Sequence, residues 1–186
     1  MKLHIALNVI FWMALSGISG KTLAQGGMFA TASGNTSFSS KTPMENIDAE
    51  NKKTQVLLNT TTGELAIRMN MRDFVFPNKL MQEHFNENYM ESEKFSKATL
   101  KGKIEDFDSA KITSTAKNFT LKGDLTIHGK TKPVTVIVKI SKAANGITAI
   151  GAFEVKPEDF DIEIPSMVRK KIADKIKISY NFLLVK

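Results

Sequence analysis

The chain has 186 residues, of which 42% are hydrophobic and 24% charged, and its formal net charge at pH 7 is +7. This composition is typical of a globular domain and excludes a disordered or collagen-like chain. Because the sequence contains no cysteine, it excludes disulfides, thiolate catalysis, iron–sulfur clusters and cysteine-ligated zinc.

The first 24 residues have the order of a secretory signal. Lys2 supplies a positive charge, residues 5–15 are mostly apolar, and small and polar residues lead to Ala24. The apolar run is shorter than the roughly 20 residues that cross a bilayer, so an uncleaved membrane anchor is the weaker alternative. We expect cleavage after Ala24, which leaves residues 25–186 as one periplasmic or secreted domain with a net charge of about +5.

The exported part is dominated by a two-residue alternation of apolar and polar side chains, the pattern of half-buried strands. It predicts about eight strands, at 28–39, 45–59, 65–71, 98–104, 119–127, 134–140, 147–155 and 176–184. Short turn signals at 60–63, 128–130, 144–146 and 156–159 favour antiparallel pairing. A sandwich or a closed barrel fits this pattern, and closure has the advantage of removing exposed sheet edges.

One helix interrupts the strands. Asn78 is a good N-cap, and Met81, Phe85 and Tyr89 then recur every four residues until about position 90, with Leu80 and His84 beside them. A second short helix is predicted at 166–173, after a proline. Taken alone, the apolar stripe of the first helix is more typical of core packing than of ligand contact.

Catalytic and metal motifs are poorly supported. Glu83 and Glu87 point about 100° away from His84 on the predicted helix, and no HxxxH or HExxH pattern supports a metal site. No GxSxG elbow singles out a nucleophile, and the glycine spacing does not form a phosphate loop. A pair of acidic residues that hydrolyses glycosidic bonds stays an open alternative, because the sequence does not give the distance between the carboxyl groups.

Two surfaces bear on possible partners. The basic run at 169–177 is interpreted as a solvated face, with transient docking on a membrane surface as the alternative. Phe119, Phe153 and Phe182 lie on the apolar faces of their strands, which argues against stacking on nucleic acid bases. The residues alone leave two interpretations of the apolar faces open, a packed core and a cavity for an apolar chain.

Three stretches of the chain carry a family resemblance. Residues 76–90 followed by 94–102, residues 122–134 with Gly123, His128, Gly129 and Pro133, and the segment 160–165 resemble the YceI-like family in order and spacing. The spacing of the glycine, histidine and proline residues in the second stretch is the most specific part of the resemblance. Where the family commonly has Tyr-Pro before an Ala-Thr-Phe strand, this chain has Phe95-Ser96 and Leu100, which keeps the apolar character.

The resemblance implies an all-β, antiparallel, eight-stranded lipocalin-like barrel with one or two short helices. It implies an isoprenoid or similar long-chain lipid as ligand, including quinone-type molecules, with no catalytic residue. We expect no metal, and no cofactor apart from this lipid. The helix at 78–90 would close or line one end of the barrel. The candidate ligand contacts are Phe76, Leu80, Met81, Phe85, Tyr89, Phe119, Leu121, Phe153 and Phe182.

Several alternatives stay open. We interpret His128 as a turn residue rather than a headgroup ligand, and His84 as satisfying a loop backbone group rather than binding at the mouth. A packed barrel that acts through its outer surface, as a stress or interaction protein, is the first rival to a lipid carrier. A hydrolase acting on lipids or sugars is the second. The sequence does not decide whether the protein forms a homodimer.

Overall fold

A computed structural model describes residues 27–186, and the predicted signal sequence lies outside these residues. Eight antiparallel strands close into one barrel, in which each strand pairs with the next and β8 pairs with β1. They are β1 (Met28–Lys41), β2 (Asn46–Asn59), β3 (Glu64–Asn70), β4 (Lys97–Ile104), β5 (Lys117–Ile127), β6 (Lys130–Ala143), β7 (Gly146–Val155) and β8 (Ile176–Leu184). The predicted barrel is confirmed, and the sandwich alternative is wrong.

The alternation in the sequence sorts side chains between the barrel interior and the solvent. Leu100 on β4 is paired with Leu125 on β5, and both are buried, whereas the intervening Lys101 is exposed. On β6, Val136 and Val138 are buried while Ile137 between them is half exposed. The inward positions therefore form a continuous apolar core along the barrel.

One end of the barrel, which we call the closed end, is filled by side chains. It contains the start of β1 and the finish of β8, together with the turns that follow β2 and β6. Its innermost side chains are almost completely shielded from solvent: Leu58, Ile104, Ile140 and Leu184. Phe107 and Phe119 pack against this core with ring centroids 5.8 Å apart.

The opposite end, which we call the open end, carries the two long connections, at 71–96 and 156–175, and the turns at 42–45 and 128–129. The first connection contains helix α1 (Lys79–His84), which continues as a π-helical turn at Phe85–Tyr89. Asn78 caps α1, since its side-chain oxygen accepts hydrogen bonds from the backbone N–H groups of Leu80 and Met81. The predicted start and length of this helical segment are confirmed.

The predicted second helix at 166–173 is wrong, because this segment forms a series of tight turns. The N–H of Val168 donates to the carbonyl of Pro165, and the N–H of Lys171 donates to that of Val168. The turns place Val168 and Ile172 toward the barrel. Within residues 27–186, no helix is long and apolar enough to cross a membrane.

Candidate functional site

A cavity of about 450 Å³ occupies the open end of the barrel. Its walls are the inward faces of the strands, and its cover is formed by α1 on one side and the segment 160–172 on the other. The strand faces contribute apolar side chains such as Met69, Ile127 and Ile178. The volume is in the range of known small-molecule pockets, and the composition suits an apolar ligand.

Four phenylalanines hold the helical cover in place. The Phe85 ring lies 5.0 Å from the ring of Phe76, 5.4 Å from that of Phe38 and 5.8 Å from that of Phe74, measured between centroids. Phe74 and Phe76 are buried in the connection that leads to α1. Since aromatic pairs at these distances stabilise packing beyond the area they bury, the cluster fixes the helical segment over the cavity.

The second half of the cover is tied to the β1–β2 hairpin. Ser40 Oγ at the end of β1 accepts a hydrogen bond of 2.8 Å from the backbone N–H of Ala173. Lys171 Nζ lies 3.7 Å from a carboxylate oxygen of Glu45 in the turn between β1 and β2. Phe160, at the other end of the segment, is buried in the main core. These contacts keep the apolar side chains of the segment against the cavity.

His128 links the connections of the open end. It lies in the β5–β6 turn with a φ of 50°, as expected for a turn residue. Its Nε2 lies 2.8 Å from a carboxylate oxygen of Glu91, and its Nδ1 lies 3.2 Å from the carbonyl oxygen of Phe160. Phe95 packs against the ring with centroids 4.3 Å apart. The sequence did not indicate this tertiary role.

The ionisable groups of the cavity are at its rim. They are Glu45, His84, Tyr89, Lys156 and Lys171. His84 is exposed, and its ring makes no hydrogen bond within residues 27–186, so the structure does not support its interpretation as the partner of a loop backbone group. The deeper wall is lined by apolar side chains and by the hydroxyl of Thr36. The rim therefore suits a polar group and the interior suits an apolar chain.

Tyr180 is the titratable group buried below this cavity. Burial raises its pKa from 10.0 to about 12, so the phenol stays protonated at neutral pH. Its hydroxyl donates a hydrogen bond of 3.3 Å to the carbonyl oxygen of Ile137. The β6–β7 hydrogen-bonded ladder ends at Val138 and Gly151, next to this carbonyl. The phenol thus satisfies a backbone acceptor at the point where the two strands separate.

The structure brings six of the nine predicted contact residues to the cavity. They are Phe76, Leu80, Met81, Phe85, Tyr89 and Phe153. Leu121 and Phe182 instead line a second, deeper cavity of about 50 Å³. Phe119 lines neither of these cavities and packs near the closed end against Phe107. Ligand contact by any of these side chains stays a prediction.

Three aromatic residues of the cavity were not predicted from the sequence: Phe38, Phe74 and Phe160. Phe38 stands between serines on β1, so its apolar face was hard to recognise in the pattern. Phe160 belongs to the segment 160–165 that carried the family resemblance, and this was the available signal. Phe74 precedes α1, where neither helical nor strand periodicity applies.

Two larger clefts, of about 860 and 780 Å³, lie on the outside of the covers. Charged side chains of both signs line them, including Arg72 and Glu93, which form an exposed ion pair. Such mixed, solvated surfaces do not select a ligand of one charge. Among residues 27–186, no group of three or more His, Asp or Glu side chains is arranged to hold a metal ion.

Comparisons with known proteins agree with this architecture. The YceI-like domain family model matches residues 13–184. A polyisoprenoid binding domain from Saccharophagus degradans, implicated in plant cell wall breakdown, superposes with a TM-score of 0.75 at 12% identity, covering 86% of this chain and 98% of its own. BcnA from Burkholderia cenocepacia superposes with a TM-score of 0.68 at 19% identity, covering 82% and 96%.

The YceI protein of Campylobacter jejuni has a TM-score of 0.55 at 16% identity and covers 98% of this chain and 96% of its own. At these identities the structural neighbours show a shared fold. No curated protein matches the chain in sequence.

Proposed function

The chain belongs to the YceI-like family, and on that premise we propose that it is an exported lipid-binding protein. It holds a long, apolar, isoprenoid-like chain inside the barrel and shields that chain from water. Quinone-type molecules, which combine such a chain with a small polar ring, are included in this ligand class. The biological use of the bound chain is transport, storage or sensing.

The apolar cavity of about 450 Å³ is the observation that carries this proposal. Each methylene that moves from water into such a space contributes roughly 0.8 kcal/mol, so a chain binds without directional contacts. The flexible side chains of Met69, Met81 and Met90 adapt to irregular chain shapes. The polyisoprenoid binding domain of S. degradans shares this fold, which adds support for the ligand class.

We propose that the protein acts by binding rather than by catalysis. Two of the hydroxyls in the cavity have structural partners: Thr36 Oγ1 lies 2.9 Å from Thr54 Oγ1, and Ser40 Oγ accepts the Ala173 N–H. Neither is paired with a histidine that would activate it as a nucleophile. The charged groups of the cavity lie at its solvent-facing rim.

Membrane contact at the open end is part of the proposal. Met44, Leu80 and Met167 are exposed at this end by 61%, 57% and 93%, respectively. Arg169 and Lys170 stand exposed beside Met167. Apolar side chains flanked by cations are suited to an interface with anionic lipid headgroups. Contact here would place the rim of the cavity at the membrane surface, where an apolar ligand resides.

Export supports the same function, since a periplasmic or secreted carrier meets apolar lipids at membrane surfaces. We expect the N-terminus of the mature protein to begin at Gln25, and N-terminal sequencing of material from the periplasmic or medium fraction tests this. A homodimer stays a prediction, and light scattering on the same material measures the mass in solution.

Native mass spectrometry of the exported protein, followed by solvent extraction, tests the binding function. A stoichiometric adduct that dissociates as a long isoprenoid species is expected. A mass equal to that of the bare chain, unchanged after incubation with prenyl alcohols and quinones, would contradict the proposal. That result would favour the rival in which a packed barrel acts through its outer surface.

A further inference from the structure

The two cavities inside the barrel meet at a ring of six side chains. The residues that line both of them are Thr36, Met69, Ala98, Leu125, Phe153 and Ile178, which we call the waist. Above the waist, toward the open end, the free volume is about 450 Å³, and below it the free volume is about 50 Å³. The waist is therefore where the space available to a ligand nearly ends.

Aromatic rings fill the barrel below the waist. Tyr180 and Phe182 are stacked, with centroids 5.3 Å apart and an interplanar angle of 20°. Phe153 of the waist lies above this stack, with its centroid 6.4 Å from that of Tyr180. Phe182 and Leu121 beside it are each exposed by only 2%. The stack forms the floor on which the waist rests.

The floor cannot move outward to make room. A Cβ atom at Gly34 would lie 2.6 Å from Phe182 Cδ1, and a Cβ atom at Gly151 would lie 2.2 Å from the Tyr180 hydroxyl. Both rings thus lie directly against the strand backbone, in space that glycine leaves free. The hydrogen bond from the Tyr180 hydroxyl to the Ile137 carbonyl further anchors the upper ring.

Resting on the proposed lipid-binding function, we propose that the barrel measures chain length and takes up three to four isoprene units. A water molecule takes up about 30 Å³ of liquid, and a chain carbon with its hydrogens is of similar or slightly smaller size, so the space of about 450 Å³ holds about 15–18 carbons. Further units extend past the rim into water, where they gain no burial. The waist and its aromatic floor are the specificity-determining residues.

A length series on the wild-type protein tests the proposal directly. Prenyl alcohols of two, three, four and eight isoprene units are offered in an equimolar mixture, and their adducts are quantified by native mass spectrometry. The affinity is expected to rise about tenfold or more with each unit up to three or four units. From four to eight units it is expected to change by less than about threefold.

A continued rise of about tenfold for each unit up to eight units would overturn the length limit while leaving the lipid-binding function intact. Binding of no alcohol at any length would instead contradict the proposed function itself. The two failures are therefore distinguishable within one experiment.

A variant of the waist tests which residues set the limit. Phe153→Ala opens the passage toward the lower cavity, and Phe153 is only half-buried, so the barrel is expected to fold. The four-unit to three-unit binding ratio is expected to rise about fivefold or more. A general loss of contact with the chain weakens the binding of both alcohols alike, so it does not change this ratio.

Phe119→Ala is the matched control, since Phe119 is also a half-buried inward phenylalanine but lines neither cavity. Its binding ratio is expected to equal that of the wild type. Ala98→Leu narrows the waist and is expected to shift the preference toward two and three units. Equal ratios in Phe153→Ala and the wild type, or an equal shift in the Phe119→Ala control, would remove the waist from its assigned role.

Discussion

His128 Nε2 lies 2.8 Å from a carboxylate oxygen of Glu91, and this contact joins two connections that are 37 residues apart in the chain. The other ring nitrogen reaches the carbonyl oxygen of Phe160, so one side chain connects both covers of the cavity to the β5–β6 turn. The His128 side chain is only 10% exposed, whereas that of Glu91 is 47% exposed, so water reaches this contact from the carboxylate side.

Replacing His128 is expected to loosen both covers. His128→Asn retains a residue that tolerates a φ of 50° but loses the contact with Glu91. Since it breaks the hydrogen bond to the half-exposed Glu91 carboxylate, the free energy of unfolding should fall by about 0.5–1.5 kcal/mol, as measured by urea denaturation. In a Glu91→Gln background, the His128→Asn substitution should lower the free energy of unfolding by a smaller amount. Equal costs in both backgrounds would show that the two side chains are not coupled.

Phe85→Asp is expected to abolish lipid retention while the barrel stays folded. The substitution places a carboxylate among the rings of Phe38, Phe74 and Phe76, where it has no partner for its charge. This unpaired charge should detach the helical cover. The barrel should stay folded, because Phe85 belongs to the cover and not to a strand. Native mass spectrometry reports the adduct and far-ultraviolet circular dichroism reports the strands. Phe85→Leu is the control and should retain the ligand. If a folded Phe85→Asp protein also retained the ligand, the helical segment would not be what covers the ligand.

Gly151→Ala is expected to destabilise the barrel by about 1–3 kcal/mol, since the added Cβ would overlap the Tyr180 phenol. Tyr180→Leu removes the outer part of the ring and should reduce the cost of the Gly151→Ala change. Chemical denaturation of the two single variants and the double variant gives the coupling free energy. Additive effects would mean that the Tyr180 ring is not the obstacle at this position.

Stability is expected to fall at alkaline pH because of Tyr180. Its folded pKa of about 12 is higher than the ordinary value of 10.0, so the contribution to stability is complete below pH 10 and is lost as the pH rises toward 12. A shift of this size corresponds to about 2–3 kcal/mol. Urea midpoints measured from pH 9 to 12 should decline less steeply for Tyr180→Phe than for the wild type. Parallel declines would assign the alkaline loss to other groups.

Charge reversal at the open end is expected to weaken membrane contact. The Arg169→Glu, Lys170→Glu double variant should bind vesicles containing anionic phospholipid at least about tenfold more weakly, since each cation near such a surface contributes about 1 kcal/mol. Cosedimentation measures the bound fraction. The Lys101→Glu, Lys103→Glu variant reverses two exposed charges on β4 and should bind as the wild type does. Equal weakening in both variants would indicate a general charge effect without an oriented surface.

Much of the architecture could be predicted from local patterns. The alternation at Phe119–Ile127 and at Ile176–Leu184 is a consequence of one strand face packing inward, so it is visible without the fold. The Asn78 cap is equally local, because it depends on hydrogen bonds to residues two and three positions later. The segment 166–173 could not be predicted in this way, since its turns are held by contacts with Ser40 and Glu45 on a distant hairpin.

The candidate site was predicted in part for a related reason. Phe119 and Phe153 have the same strand pattern, yet one packs near the closed end and the other lines the cavity. Alternation tells which face of a strand is apolar, but the depth of a residue along the barrel depends on the register of all eight strands. Phe38 and Phe160, more than 100 residues apart, become cavity neighbours only through that register.

The sequence by itself determined the class of structure: an antiparallel β domain with one capped helical segment, no cysteine chemistry and apolar inward faces. Its motifs also identified the family. Only the tertiary structure decided that the interior is divided at a waist, with a cavity above it and stacked rings below it. The physical reason is that free volume is what remains after side chains from every strand have packed, and local periodicity carries no information about that remainder.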